Sequence, residues 1–370
     1  MSSESASYPL HAIYLNLSDR CNLRCQHCWL SPELIPSFSD TPARHENEKD
    51  ILSPSIMKEV VRQAKPLGLH TVKLTGGEPF LRGDVMDFVS LFHEEGLNVD
   101  IETNGILVDR STARSLVQLG VRGISVSLDS ADPRGHDRFR GVKGAFAGAT
   151  KGIRNLVEEK MRTQIIMSLW RENACGIEPL ARLSLELGVT LLKINPVLPI
   201  GRGNEMHQRK LTLSVEELLK TFRWAREELQ PRTGIPIHFS LPIAFHPLKE
   251  IIAGNCSDCA ILNILGIAEN GDISFCGIQR VRQDLVMGNV TRDRLDTLWT
   301  DHPLLQKMRD VIPSRLEGIC GRCFFKKKCM GSCLACTYYL EKSLTAPYWV
   351  CQEAFEKGLF PETRCMGREA

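Results

Sequence analysis

Between Ala12 and about Ser240, short apolar runs rich in β-branched residues alternate with longer stretches whose apolar positions recur every three or four residues. The short runs, at 13–17, 71–74, 99–103, 123–128, 163–169, 190–195 and 236–240, read as strands. The longer ones, at 55–65, 84–95, 111–119, 145–159, 177–187 and 214–229, read as amphipathic helices. Ser214 before Val215-Glu216-Glu217 is a good N-cap, with acids in the first turn where the helix dipole favours them. Apolar strands that alternate with helices imply a parallel sheet covered by helices. The expected fold class is therefore α/β, a partial (β/α)6 TIM-like barrel.

In such a barrel, chemistry gathers at the C-terminal ends of the strands. The first strand runs into Cys21–Cys28 and the second into Gly76-Gly77-Glu78-Pro79. The third ends at Thr103-Asn104-Gly105, the fourth at Ser127-Leu128-Asp129 and the sixth at Asn195-Pro196. Five segments thus converge on one rim. Residues 31–53 interrupt the rhythm with prolines and the charged run His45-Glu46-Asn47-Glu48-Lys49-Asp50. They read as a long surface insert, with a substrate-covering flap as the alternative. After Ser240 the helical periodicity thins and cysteines accumulate. The domain layout expected is a tail over 1–11, the barrel over 12–240, a cysteine-rich domain over 241–355 and a tail over 356–370.

Composition removes several classes of partner. Lys and Arg number 46 against 44 Asp and Glu, a formal charge of +2, so nothing calls for nucleic acid or an anionic membrane. The N-terminal residues are polar, and no window approaches an uninterrupted membrane span. A cytoplasmic location is expected. The 14 cysteines change the picture most. Three lie near the start, ten between Cys256 and Cys365, and Cys175 stands alone between them as an expected apolar filler. Clusters at two- to five-residue spacing in a reducing compartment favour metal ligation over disulfides.

Cys21-x3-Cys25-x2-Cys28 offers three thiolates on a short loop. Three can hold three irons of a cubane cluster and leave the fourth open to a small molecule. Zinc at three cysteines, with His27 as fourth ligand, is the structural alternative. His27 adjoins Cys28, a poor spacing for reaching the same ion. Gly-Gly-Glu after a strand reads equally well as a tight turn. Asn104, Ser127 and Asp129 read equally well as strand-end caps.

Taken together, the Cys21–Cys28 loop and Gly76-Gly77-Glu78-Pro79 resemble the radical S-adenosylmethionine superfamily, with His27 at that family's aromatic position. The resemblance implies that Cys21, Cys25 and Cys28 hold a [4Fe-4S] cluster whose open iron is chelated by S-adenosylmethionine. Reduction then cleaves the sulfonium to a 5′-deoxyadenosyl radical. It also implies that Gly76, Gly77 and Glu78 meet the methionine amino group, that the glycines let the backbone approach the ligand, and that Ser127 and Asp129 meet the ribose. Asn104 lies on the same rim.

Farther on, Cys259-x11-Gly271-x4-Cys276 and Cys320-x2-Cys323-x5-Cys329-x3-Cys333-x17-Cys351 resemble the extension called SPASM. With Cys256 as an eighth thiol, two auxiliary [4Fe-4S] clusters are implied. Cys256, Cys259, Cys276 and Cys333 would hold the inner one, and Cys320, Cys323, Cys329 and Cys351 the outer one; Cys336 and Cys365 are spare. The segments His136–Gly141 and Pro199–Gly203 also resemble these relatives.

The implied function is oxidative modification of a substrate radical, most readily on a ribosomally made peptide. The partners would be a peptide or protein substrate, an electron donor such as flavodoxin or ferredoxin, and a separate peptide-recognition protein. Tailoring of a tetrapyrrole is the runner-up. Sulfatase maturation would want Asp after the cysteine at 276, and this chain has Gly277. Outside enzymes, an iron–sulfur electron carrier or zinc-structured binding protein is the alternative. No barrel residue stands out from the sequence as a base.

Overall fold

All seven expected strands form and lie side by side in chain order. In a computed structural model describing residues 8–30, 32–35, 51–254, 256, 259–278 and 283–366, they are β1 (Ala12–Asn16), β2 (Thr71–Thr75), β3 (Asn98–Thr103), β4 (Gly123–Ser127), β5 (Thr163–Leu169), β6 (Leu191–Pro196) and β7 (Ile237–Phe239). Each pairs in parallel with the next. Helices fill the crossovers: α1 (Pro54–Ala64), α2 (Val85–Glu94), α3 (Arg110–Gln118), α4 (Pro133–Arg140), α5 (Ala145–Glu158), α6 (Ile177–Glu186), α7 (Arg202–Gln208) and α8 (Val215–Trp224). Ser214 caps α8 as expected, accepting from Glu217 N–H while Glu217 accepts from Ser214 N–H. The stretch expected to be one helix to Leu229 passes into a wider π turn at Ala225–Leu229. Pro231, without an N–H for the carbonyl four residues back, follows directly.

The crossover helices α4 and α7 escape the sequence pattern because they are short and mostly polar. Asp132 starts α4, its carboxylate accepting from Gly135 N–H at 2.9 Å, and Gly141 ends it at φ +74°.

One face of the sheet is apolar and fully covered: Ile13, Leu15, Val72, Leu74, Val99 and Ile101 are buried with Met57, Phe88 and Phe92 of the helices. Burying each such side chain contributes about 2 kcal/mol. The other face carries Tyr14 and Asn16, Lys73, Glu102, Ser125 and Ser127, Gln164 and Ser168, Lys193 and Asn195, and His238. These positions are in register across the strands, so they share a face. Lys193 on β6 feels the charge of Lys73 on β2. In a flat sheet those strands would lie ~19 Å apart. A curled sheet brings them together, and the polar face becomes a barrel lumen.

The cysteine-rich part is not a separate body hung on the barrel. Its strand β8 (Ile264–Ile267) adds in parallel to the free edge of β1, and β9 (Asp272–Ser274) and β10 (Val286–Asn289) continue the same sheet antiparallel. Ten strands thus run unbroken through the expected boundary near 240–250. Gly271, at φ +83°, makes the turn between β8 and β9, which explains its fixed place between Cys259 and Cys276. No helix among the described residues is long and apolar enough to cross a membrane. The insert expected over 31–53 falls largely outside the described residues.

Candidate active site

The Cys21–Cys28 loop leaves the top of β1 and is gripped from three sides by backbone. On the first side, Gly77 N–H donates to Ser18 O and Glu78 N–H to Arg20 O, both at 2.8 Å. A Cβ on Gly77 would stand 2.0 Å from Arg20 O, and one on Gly76 2.8 Å from Ser18 O. The two glycines therefore let the cysteine loop approach this closely. On the second side, the end of α4 accepts from the loop: Arg24 N–H to Arg140 O at 2.9 Å and Gln26 N–H to Phe139 O at 3.0 Å. On the third, Arg202 N–H donates to Cys28 O at 3.3 Å, and a Cβ on Gly201 would meet Trp29 Cα at 2.8 Å.

Glu78 lies wholly buried below this grip. Its carboxylate accepts from Phe80 N–H (3.2 Å), Thr103 Oγ1 (2.7 Å) and Asn104 N–H (2.8 Å). Burial pushes its pKa up to about 7, against those hydrogen bonds. Glu78 thus ties the end of β2 to the end of β3. Asn104 extends the tie, donating through Nδ2 to Asn22 Oδ1 at 2.7 Å inside the cysteine loop. Asn22, fully buried between two loop cysteines, is a site residue that sequence reasoning passed over.

Asp129 is also engaged by protein. Arg140 donates to its two oxygens at 2.5 and 2.9 Å, and Ser168 N–H adds a third bond at 2.9 Å. Burial favours the neutral acid, but Arg140 outweighs it and holds the carboxyl below its usual range. The same guanidinium donates to Cys25 Sγ at 3.6 Å. Asp129 thus orients Arg140 toward a loop thiol. Ser127, the last residue of β4, faces the lumen half-buried, and its hydroxyl makes no hydrogen bond with a described residue.

His27 behaves as the aromatic residue its position asks for. Its ring stacks on Phe139 at 4.7 Å and 5°, and Phe139 stacks on Trp170 at 5.1 Å. Its Nε2 meets Ser168 Oγ at 3.0 Å. Burial, then Arg140, pulls its pKa down to about 3, so it stays neutral.

The described thiols group by proximity. Cys21, Cys25 and Cys28 surround one corner, each raising the cost of charge on its neighbours. Cys259, Cys276 and Cys333 do the same at a second corner, where burial lifts Cys276 to about 12. Cys256, the remaining expected member of that set, is half-buried against the core. Cys320, Cys323, Cys329 and Cys351 line one small cavity, with a hydrogen bond between the Cys320 and Cys351 thiols. Of the spare cysteines, Cys336 is buried beside Trp349 and Cys365 forms a β-bridge with Cys323. Cys175, expected as a filler, is instead exposed.

These donors fit iron–sulfur clusters in a specific way. Cys21 receives Leu23 N–H at 3.4 Å, and the backbone amides of Ile261, Ile278, Phe325 and Ala335, each two residues downstream, favour the thiolates of Cys259, Cys276, Cys323 and Cys333. Cys320 receives one from Tyr348 at 3.3 Å. Amides aimed at sulfur favour thiolate and tune a cluster's potential. Among the described residues no three His, Cys, Asp or Glu side chains converge as ligands of a single ion would. A cubane asks for one thiolate on each of several irons.

The lumen is the feature sequence reasoning missed. Lys73 and Glu102 form an ion pair with 24% and 29% of their side chains still open, so the lumen is accessible. Tyr14 sits over Lys73 and feels Cys259 and Cys276, which brings the inner auxiliary corner to the lumen wall. Asn16 Nδ2 donates to Gly277 O at 3.0 Å beside it. The signal lay in the alternation Tyr14-x-Asn16, Asp100-x-Glu102, Ser125-x-Ser127 and Lys193-x-Asn195, hidden by reading the strands as uniformly apolar.

Comparison with known proteins agrees with this anatomy. Residues 15–184 match the Radical SAM superfamily, and residues 256–337 match SPASM, an iron–sulfur cluster-binding domain. An AdoMet-dependent heme synthase of Methanosarcina barkeri is 28% identical over 90% of this chain and 94% of its own length. The subtilosin biosynthesis protein AlbA of Bacillus subtilis is 27% identical over 86% of this chain and 68% of its own. The crystal structure of Streptococcus suis SuiB bound to its precursor peptide SuiA superposes with a TM-score of 0.70, at 19% identity, over 94% of this chain and 76% of that one.

Proposed function

Because the chain carries a radical SAM domain followed by a SPASM domain, we propose that it is an enzyme that oxidatively modifies a peptide, with Cys21, Cys25 and Cys28 holding the cluster that binds S-adenosylmethionine. Cys256, Cys259, Cys276 and Cys333 hold the inner auxiliary cluster, and Cys320, Cys323, Cys329 and Cys351 the outer one. When bound, cluster and S-adenosylmethionine supply a hydrogen-abstracting 5′-deoxyadenosyl radical, and the auxiliary clusters accept the second electron.

The residues of this chain position and insulate that chemistry. Gly76, Gly77 and Glu78 fix the height of the cysteine loop over the lumen, and Asn104 locks it through Asn22. Arg140, held by Asp129, presents positive charge to Cys25 and favours its thiolate. The stack of His27, Phe139 and Trp170 walls the same side with apolar surface. Ser127 leaves a hydroxyl free on the rim for a ligand. Gly277 leaves no side chain beside Tyr14 to act as a base, which speaks against sulfatase maturation.

The observation that carries the reading is that two thiol-bearing segments meet one accessible polar lumen, the first through His27 on Ser168 and the second through Gly277 beside Tyr14 and Asn16. A second reading, oxidation of a tetrapyrrole, has the heme synthase relative in its favour. The test is anaerobic reconstitution with iron and sulfide, then dithionite, S-adenosylmethionine and either a peptide encoded beside the gene or iron-coproporphyrin III. Loss of hydrogen mass from the peptide supports the first reading, and change in the porphyrin alone selects the second. Absence of 5′-deoxyadenosine overturns both.

A further inference from the structure

The two lysines of the lumen are not equivalent. Lys73 is paired with Glu102, and its ammonium lies 5.3 Å from the centre of the Tyr14 ring. Asp100, next in register to Lys73, is held by Arg122 at the sheet's lower end. Lys193 has no such arrangement. Its ammonium forms no hydrogen bond or ion pair with any described residue, although the residue is half-buried in the centre of β6. Its row across the sheet is Ser127, Ile166, Lys193 and His238. Ile166 is apolar, and His238 is kept neutral by burial and by Lys193 itself. Glu102 reaches Lys193 only as a second cation beside Lys73. Among the described residues the lumen therefore holds two ammonium groups and one available carboxylate.

A half-buried ammonium without a partner is unfavourable, and an incoming carboxylate relieves it with a charge-assisted hydrogen bond. We infer that Lys193 is a specificity-determining residue that receives a carboxylate of the substrate in the lumen, in the row of Ser127 on the cysteine-loop side. This rests on the proposed function, since the lumen is the substrate's place only if that reading holds. The carboxylate comes from an acidic residue or C-terminus of a peptide, or from a propionate of a tetrapyrrole. The chemistry is shared, and probes separate the sources.

The experiment measures binding to the reconstituted holoenzyme of two probe pairs. One is acetyl-Gly-Glu-Gly-amide against its Gln counterpart, and the other iron-coproporphyrin III against its tetramethyl ester. The wild type is expected to prefer the acid in one pair by about tenfold. Lys193→Met abolishes that preference, Lys193→Arg keeps most of it, and the neutral probes bind all three proteins alike. Preference in the peptide pair assigns the source to peptide, and preference in the porphyrin pair to tetrapyrrole. The melting temperature of Lys193→Met should equal or exceed the wild type's, because no partner is lost, which separates lost recognition from lost folding. A Lys193→Met protein that still prefers acids, or a wild type without preference in either pair, overturns the inference. Cleavage of S-adenosylmethionine by the wild type, read separately, tests the proposed function: if cleavage occurs and the acid preference is absent, only the Lys193 assignment falls.

Discussion

The two cysteine-bearing regions are built on opposite plans. The Cys21–Cys28 loop packs three thiols into eight residues and takes its shape from elsewhere: β2, the end of α4 and the start of α7 each hold it through backbone hydrogen bonds. The C-terminal sets are spread from Cys256 to Cys351, on helices as short as four residues at Gly318–Gly321 and Lys326–Cys329. Backbone strain collects there as well. Met330 and Ser332, between Cys329 and Cys333, and Lys342 beyond them adopt positive φ without being glycine. The first site is shaped by the fold before any iron arrives. The second, on short helices over 318–351, is expected to need its clusters to hold that part of the fold.

Removing the metal should separate the two regions most. Hydrogen exchange on apo and reconstituted protein is expected to show protection collapsing over 318–351 and changing little over 12–28. Equal loss in both would break the comparison. Next in size is Arg140→Met, which strands the Asp129 carboxylate in the interior at a cost of about 3–5 kcal/mol. Calorimetry should find much of that recovered in the Asp129→Asn, Arg140→Met pair, since the two charges form one unit. Gly77→Ala forces a Cβ against Arg20 O and should lower stability by about 3 kcal/mol, with iron lost from the first site and kept in the others.

The smallest effect is a pH slope carried by the barrel. His136 is buried, accepts Asp129 N–H on Nδ1 at 3.1 Å, and is pulled down to about 4 by burial. Below pH 6.5 the unfolded chain binds a proton that the folded chain refuses. The His136 contribution to stability is therefore full above 6.5 and falls by ~1.4 kcal/mol per pH unit toward 4. Denaturant melts of the wild type and of His136→Phe between pH 5 and 7 should show that slope flattened in the variant.

The same contrast explains what could be read in advance. The seven parallel strands and their main helices follow from local periodicity, and Ser214-x-x-Glu217 marks its own helix start. The short cysteine spacings were equally visible, because their chemistry is local. What stayed hidden depends on long-range pairing. Ile264–Ile267 gives no hint that it will dock on β1, 252 residues upstream of its partner Ile264↔Ala12. Nothing near Asp129 in sequence announces that Arg140 will take both its oxygens. Nothing near Gly77 announces that it must accommodate Arg20, 57 residues earlier in the chain.

The most direct test compares S-adenosylmethionine cleavage in three anaerobically reconstituted proteins: wild type, Cys21→Ala and Cys320→Ala. The account predicts 5′-deoxyadenosine from the wild type and from Cys320→Ala, the latter with lower stability or substrate turnover, and none from Cys21→Ala. Cleavage that survives Cys21→Ala, or that vanishes in a folded Cys320→Ala protein retaining its first cluster, would contradict it.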